Sequence, residues 1–500
     1  MADETSKPAA ARDTAKIVRI TLDDLPAGTD RDLPACTSRL TRMPLPDGVS
    51  HGMLYRDIVR IAWPTFFEQI LTQLTNMADQ MMVGRLPGEI GVQALSAVGL
   101  SMQPKFVLMA MVMAINVGAT AMVARYRGQH DRERVSDVFR HALLLGLAVS
   151  SLLALSGAMW AAPLVRFIGG DGISAAACAY AEEYLRIQMY GFVPLCLTFT
   201  VTAALRGIGE SRVPLIYNTM ANVINIVFNY LLIYGKCGFP EMRVAGASLA
   251  TVIGQTCAFV FAAVFVLNRK RYIFLDLRRR FVFDAGILKN VVRIGLPSMV
   301  EQLFMRAGVI VYTRTVTGLG DLYYATHQIC MNIQAMSFMT GQAFAASSTT
   351  LMGQSLGKRR LDMAENYTRH TNTVGFLVSL ALGAALAIFG RDVVWLYNHT
   401  EEIVTLGGAI LVMVACIQPF QSAQFIIAGA LRGAGDTRFP AVVMFITVIL
   451  VRSGLAMLMI NVLGLGLWGA WYALVADQVL RTLLLAAHYR RGAWRFIKLQ

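Results

Sequence analysis

The chain has 500 residues, 56% of them hydrophobic and only 15% charged, with a mean hydropathy of +0.53. No soluble fold keeps that much apolar side chain out of water, whereas hydrocarbon accepts it as solvent, so a soluble multidomain protein is excluded. Lys and Arg number 45 against 31 Asp and Glu, a formal charge of +14, with the bases lying in short segments between apolar runs. That distribution fits membrane orientation and not a nucleic-acid partner.

In chain order, residues 1–54 are polar and charged, carry no apolar core of signal-peptide length, and are expected to form a disordered cytoplasmic tail. From Tyr55 onward, apolar runs long enough to cross ~30 Å of hydrocarbon recur. They predict spans at 57–82, 92–124, 137–160, 179–206, 213–235, 245–268, 288–316, 325–352, 369–390, 402–431, 439–463 and 467–488. Residues 55–268 and 287–490 then make two lobes of six spans each, joined by a basic linker at 269–286 and followed by a short tail at 491–500.

Alternate connections carry the positive charge. Arg125 to Arg134, Arg206 with Arg212, Arg269 to Arg280, Lys358 to Arg360, and Arg432 with Arg438 mark one side, with the C-terminal tail. The intervening loops are poor in bases, so the basic side and both termini are expected in the cytoplasm of a bacterial inner membrane. The seven cysteines are scattered without Cys-x-x-Cys spacing and indicate neither a disulfide framework nor a metal centre.

A repeat underlies the pattern. Ala204-Leu-Arg-Gly-Ile-Gly-Glu-Ser-Arg-Val-Pro214 recurs as Ala430-Leu-Arg-Gly-Ala-Gly-Asp-Thr-Arg-Phe-Pro440. Val59-Arg-Ile-Ala-Trp-Pro-Thr-Phe-Phe-Glu-Gln69 recurs as Val292-Arg-Ile-Gly-Leu-Pro-Ser-Met-Val-Glu-Gln302. Six spans per half leave both halves in one orientation, related by a pseudo-twofold axis along the membrane normal with a cavity between them.

Together with Met77-Ala-Asp-Gln-Met-Met-Val-Gly84, Asn116-Val-Gly-Ala-Thr-Ala-Met-Val-Ala-Arg-Tyr-Arg-Gly128 and Leu351-Met-Gly-Gln-Ser-Leu-Gly357, these motifs resemble the multidrug and toxic compound extrusion (MATE) family, within the wider multidrug/oligosaccharidyl-lipid/polysaccharide exporter superfamily. The resemblance covers about residues 55–490. It implies an all-α membrane protein of about 12 helices in two V-shaped lobes, and antiport of organic, often cationic, compounds against H⁺ or Na⁺, with no other cofactor.

Ionisable groups at membrane depth each need a reason, since insertion costs ~3 kcal/mol. Glu68 and Glu301 stand at equivalent repeat positions, each followed by a glutamine, Gln69 and Gln302. They are expected either to face the cavity and take up a proton or a cargo cation, or to be structural carboxyls bonded to a neighbouring helix. Asp79 matches an acidic family position, which implies cation coupling; the alternative is a solvated group near the surface. Asn218, Asn222, Asn225 and Asn229 line one face of the fifth span and serve either as a hydrated wall or as glue between helices. One branch of the family carries an acid where this chain has Asn229, and relatives can carry another where it has Gln421. Lys105, following Pro104, is either a cavity cation or a local structural group.

Cation coupling is expected at Glu68, Asp79, Asn225 and Asn229. Cargo contact is expected at Glu301, Gln302, Gln69, Asn222 and Gln421. The expected partners are a small organic cation and membrane lipid, with no nucleic acid, and the chain is expected to act as a monomer. The competing reading is a flippase for lipid-linked saccharides, which would use Arg306, Arg314 and Arg452 to hold phosphate. Gly353-Gln-Ser-Leu-Gly-Lys358 lacks the spacing of a P-loop, which disfavours a nucleotide-driven pump, and no nucleophile or zinc motif indicates an enzyme.

Overall fold

The computed structural model describes residues 44–46, 48–87, 89–169, 174–269, 271–275 and 281–497. The expected N-terminal tail falls almost wholly outside this set, as does the middle of the basic linker. Among the described residues the protein is helical throughout: α1 (His51–Gly84), α2 (Glu89–Gly128), α3 (Arg132–Met159), α4 (Ala161–Gly169), α5 (Ala175–Tyr190), α6 (Phe192–Gly207), α7 (Arg212–Tyr234) and α8 (Arg243–Leu267) form the first half. The second half comprises α9 (Ala285–Thr317), α10 (Asp321–Gly357), α11 (Leu361–Tyr397), α12 (Glu401–Ala434), α13 (Arg438–Val462) and α14 (Gly466–Arg491).

Each expected span has its helix, which gives twelve crossings. The fourth is broken: α5 and α6 meet at 51°. Pro194 explains the break, because its ring removes an amide donor and clashes with the carbonyl of Tyr190 one turn back. The short amphipathic α4 between the third and fourth spans is a further element that hydropathy did not indicate.

Nine helices among the described residues are individually long and apolar enough to span, and the bent pair makes ten. The two left over are α1 and α10, 34 and 37 residues long. Length is not what they lack. They carry Glu68, Asp79, His327 and Gln334 into the protein interior, and that polarity dilutes the hydropathy signal. The opposite case is α11, with only 22% of its apolar window buried and Leu377, Leu380 and Ile388 turned out to lipid.

Each lobe has its own core. Met122, Phe139, Leu205 and Tyr217 pack together in the first, and Tyr312, Val414, Trp471 and Leu474 in the second. The lobes meet where two helices of one touch two of the other. A Cβ added to Gly118 of α2 would lie 2.3 Å from the Val291 carbonyl oxygen of α9, and one added to Gly295 of α9 would lie 2.2 Å from that of Ala114. At the basic end the same exchange links α2 and α10: a Cβ on Gly128 would sit 2.0 Å from the Gln354 oxygen, and on Gly357 2.0 Å from the Arg125 oxygen. Small residues let membrane helices approach this closely, and here each lobe presents a glycine to the other's backbone.

Hydrogen bonds between the lobes cluster at that same basic end. Thr350 Oγ1 donates to Arg206 O at 2.8 Å, Gln354 Nε2 to Gly207 O at 2.9 Å, Ser347 Oγ to Ile58 O at 3.2 Å, and Tyr367 Oη to Asp57 Oδ2 at 2.8 Å. His51 Nδ1 lies 2.8 Å from His370 Nε2 across the same seam. The lobes therefore lean together at the end bearing the basic loops and diverge toward the other, which is the V shape expected.

This seam makes a direct prediction. Gly295→Ala should cost ~1–3 kcal/mol by overpacking against backbone that has nowhere to go. It should also lengthen the distance between spin labels placed in the loops after α2 and α10. Gly99→Ala, where a new Cβ meets nothing within 4 Å, should leave that distance unchanged.

Candidate functional site

The two repeated sequence motifs turn out to be partners in space. Glu68 Oε2 accepts from Arg206 Nη2 at 2.9 Å, and Glu301 Oε1 accepts from Arg432 Nη2 in the other lobe. The acid comes from the first helix of each lobe, one turn past its internal proline. The base comes from Leu-Arg-Gly-x-Gly at the end of α6 or α12. The glycines of that motif have separate duties. Gly207 and Gly433 pack without a Cβ against α2 and α10, and Gly209 and Gly435 take φ of +87° and +90° to turn the chain.

Arg206 and Arg432 correct the charge map. Both were counted among loop bases, yet both sit in the last turn of a helix. Helical side chains lean toward the N-terminus, so a base in the last turn points back into the lobe. Glu68 and Glu301 are correspondingly buried, 8% and 2% exposed. Each already has a cation beside it, which does not fit a carboxylate held free for a proton or a cargo. The duplicated acid and duplicated base, at matching places in both halves, were the signal that could have revealed the pairing.

The asparagine face of α7 is engaged along α1. Asn218 Nδ2 donates to Glu68 Oε1 at 2.8 Å, Asn222 Nδ2 reaches Thr72 Oγ1 at 3.5 Å, and Asn229 Nδ2 donates to Asp79 Oδ1. With its amide nitrogen turned toward Asp79, Asn225 stands 3.0 Å from the same Oδ1, and its oxygen accepts from Thr251 N at 3.2 Å. Asn225 and Asn229, 5% and 0% exposed, join helices, whereas Asn218 and Asn222 on the same face are half-buried.

Asp79 differs from the two glutamates in what surrounds it. Its hydrogen-bond donors are neutral amides, and among the described residues no base lies within 4.0 Å of it. Lys105 acts on it electrostatically from farther off. That lysine is 7% exposed and gives its Nζ to Gln188 Oε1 at 2.6 Å. Asp79, Lys105, Asn225, Asn229, Gln188 and Thr251 thus form one polar centre inside the first lobe, drawn from α1, α2, α5, α7 and α8.

The remaining expected cargo residues are dispersed. Gln69 is half-buried and Gln302 is exposed on α9. Gln421 is 1% exposed, with neither amide atom hydrogen-bonded. No group of three or more His, Cys, Asp or Glu among the described residues is placed to hold a metal ion.

The chain's relatives share this architecture. A family model described as MatE matches residues 64–231 and 297–458, one block in each lobe. The chain is 27% identical over 444 residues, 88% of its length and 93% of the relative's, to a probable multidrug resistance protein NorM of Thermotoga maritima. A solved structure of MATE in complex with MaD3S superposes with a TM-score of 0.81, covering 89% of this chain and 97% of that one at 23% identity. An outward-facing multidrug resistance MATE family transporter of the MOP superfamily gives a TM-score of 0.80 at 22% identity, covering 88% and 96%. With both repeats matched and the twelve-helix fold shared, the chain belongs to the MatE family of membrane transporters.

Proposed function

We propose that the protein is a cation-coupled antiporter, proton-driven in preference to sodium-driven, that exports small organic cations by alternating access. The observation that carries this reading is Asp79: a membrane-depth carboxylate held by neutral amides, whose charge a bound cation would complete. Antiport needs cation and cargo to favour opposite states or to compete for one place, since a ligand of equal affinity for both states shifts nothing. A single acid that takes either a proton or a cargo cation supplies that competition. The relatives' names as multidrug resistance proteins support drug-like small molecules as the cargo. The Glu68–Arg206 and Glu301–Arg432 pairs act in this scheme as pins that keep each lobe rigid while the lobes move against each other.

The flippase reading loses its basis in this arrangement. Arg306 lies over the Phe106 ring at 4.4 Å, Arg314 is exposed near the end of α9, and Arg452 is buried inside the second lobe. They make no common phosphate cradle.

The basic, closed end is assigned to the cytoplasm, so the V opens outward. In a Cys-free background, single cysteines near 130, 275 and 360 should resist an impermeant thiol reagent in intact cells, whereas those near 170 and 240 should label. Labelling at 275 reverses the orientation.

In proteoliposomes with independently imposed H⁺ and Na⁺ gradients, a pH gradient alone should drive export, and Asp79→Asn should reduce it at least ~10-fold while keeping the hydrogen bonds to α7. Export driven only by sodium removes the proton assignment. Normal coupling in Asp79→Asn removes the site.

The ion pairs predict a different signature. Glu68→Gln strands the Arg206 guanidinium, a partly exposed base, and should lower stability by ~2–4 kcal/mol, less than for a fully buried charge. The double variant Glu68→Gln with Arg206→Met should recover part of that loss. Equal instability of single and double variants would show that the pair is not what holds α1 to α6.

A further inference from the structure

The repeat locates a counterpart of the Asp79 centre in the second lobe. The offset of 233 that carries Glu68 to Glu301 carries Asp79 to Tyr312. The offset of 229 that carries Gly128 to Gly357 carries Lys105 to Gln334. The acid of the first lobe is therefore replaced by a phenol, and its lysine by an amide. A cation enters from a new direction: Arg452 of α13, 4% exposed, lays its guanidinium carbon 4.3 Å from the centre of the Tyr312 ring.

That guanidinium is buried without a counter-charge. Its Nε and Nη2 have no hydrogen-bond partner, and among the described residues no carboxylate lies within 4.0 Å of it. The acid in this region, Asp477, holds Arg481 Nη2 with both oxygens at 2.5 and 2.6 Å, and Arg481 Nε donates to Thr447 Oγ1 at 3.1 Å. Asp477 and Arg481 cancel, and the charge of Arg452 is left over.

Other buried polar atoms in this region are also unsatisfied. The His327 ring lies 5.5 Å from Tyr312 and 5.5 Å from Trp471, centre to centre. Trp471 Nε1, His327 Nδ1 and both amide atoms of Gln334 are buried without partners, in side chains no more than 2% exposed. Gln334 stands two turns along α10 from His327, on the same face. Unpaired donors are rare in protein interiors, and a water molecule satisfies an N–H but leaves a guanidinium charge uncompensated.

The backbone of α13 is shaped for this arginine. Phe445–Ser453 runs as a π-helix, a geometry that adds a residue to the turn and often marks a functional site. It turns Arg452 and Ser453 inward while Leu450, 55% exposed, meets lipid.

We propose that the interior of the second lobe, between α9, α10, α13 and α14, binds one monovalent anion on Arg452 and the Trp471 indole N–H: a halide, or the carboxylate of a cargo molecule. One unbalanced positive charge enclosed by the Tyr312, His327 and Trp471 rings balances one negative charge, which selects against sulfate or phosphate dianions. Anion binding there does not depend on which cation drives transport. It gives the transporter a cation-accepting centre in one lobe and an anion-accepting centre at the equivalent place in the other.

The test uses the purified full chain in detergent, with chloride or acetate replacing sulfate at constant ionic strength. One of the two monovalent anions should raise the thermal unfolding midpoint saturably, by several degrees at large excess. Saturation by chloride alone assigns a free halide, and saturation by acetate alone assigns a cargo carboxylate. Arg452→Gln should abolish the response. Trp471→Phe, which keeps an aromatic ring but loses the N–H donor together with the five-membered ring, should raise the half-saturating concentration at least ~5-fold. Should Arg452→Gln fail to fold, Trp471→Phe decides alone. A wild-type midpoint no different in chloride or acetate than in sulfate overturns the proposal, as does a Trp471→Phe half-saturation equal to the wild type's.

Discussion

Two buried ion pairs, Glu68–Arg206 and Glu301–Arg432, set the terms for both lobes. Each joins the first helix of a lobe to the end of its fourth span, across 138 and 131 residues of sequence. In hydrocarbon neither charge could stand alone, so the two segments must meet before the lobe is complete. The geometry of the pair then dictates the neighbouring glycines. Arg206 can reach inward only if Gly207 lets α6 lie against α2 and Gly209 turns the chain away immediately after. The same holds for Arg432, Gly433 and Gly435. The Leu-Arg-Gly-x-Gly signature is thus a base, a packing contact and a turn in five residues, and its recurrence is the recurrence of one structural joint.

The close glycine contacts between lobes follow a different logic. They bring backbone to backbone without side chains that would have to repack when the contact opens. A seam of that kind, with hydrogen bonds concentrated at one end, can separate as a rigid-body movement of one lobe against the other. The histidines His51 and His370 and the Tyr367–Asp57 bond add polar contacts at the same end, where water can replace them on opening.

Much of this was readable from the chain. The twelve spans fall within several residues of their helices, because length and hydropathy at membrane depth leave little choice. The broken fourth span was missed because a proline three residues past a glycine bends a helix without interrupting its apolar run. Arg206 and Arg432 were misplaced because linear charge patterns record where a Cα lies in the chain and not where its side chain leads. The asparagine period of α7 was visible, but a period names a face and not what it touches; only the fold puts Glu68, Thr72 and Asp79 opposite it. Asp79 itself was legible as an acid in a helix, while its distinction from the glutamates, neutral partners in place of a guanidinium, was not.

The lobes share a scaffold and diverge in what they carry on it. The offset of 226 that relates Arg206 to Arg432 relates the four asparagines of α7 to Met444, Val448, Val451 and Leu455. The asparagine seam between α1 and α7 is therefore replaced at those positions by apolar residues between α9 and α13, where Phe304 and Phe445 pack with centres 4.9 Å apart. The loss of Asn218 leaves Glu301 Oε2 without a partner, whereas both oxygens of Glu68 are satisfied. Along this seam α13 runs as a π-helix over Phe445–Ser453, with Arg452 turned inward. Duplication supplied two equal lobes, and substitution along the helix seams gave their interiors different charge: Asp79 with Lys105 in one, Arg452 alone in the other. Such a pair can treat the two ends of a dipolar cargo, or a cation and its counter-ion, as separate problems.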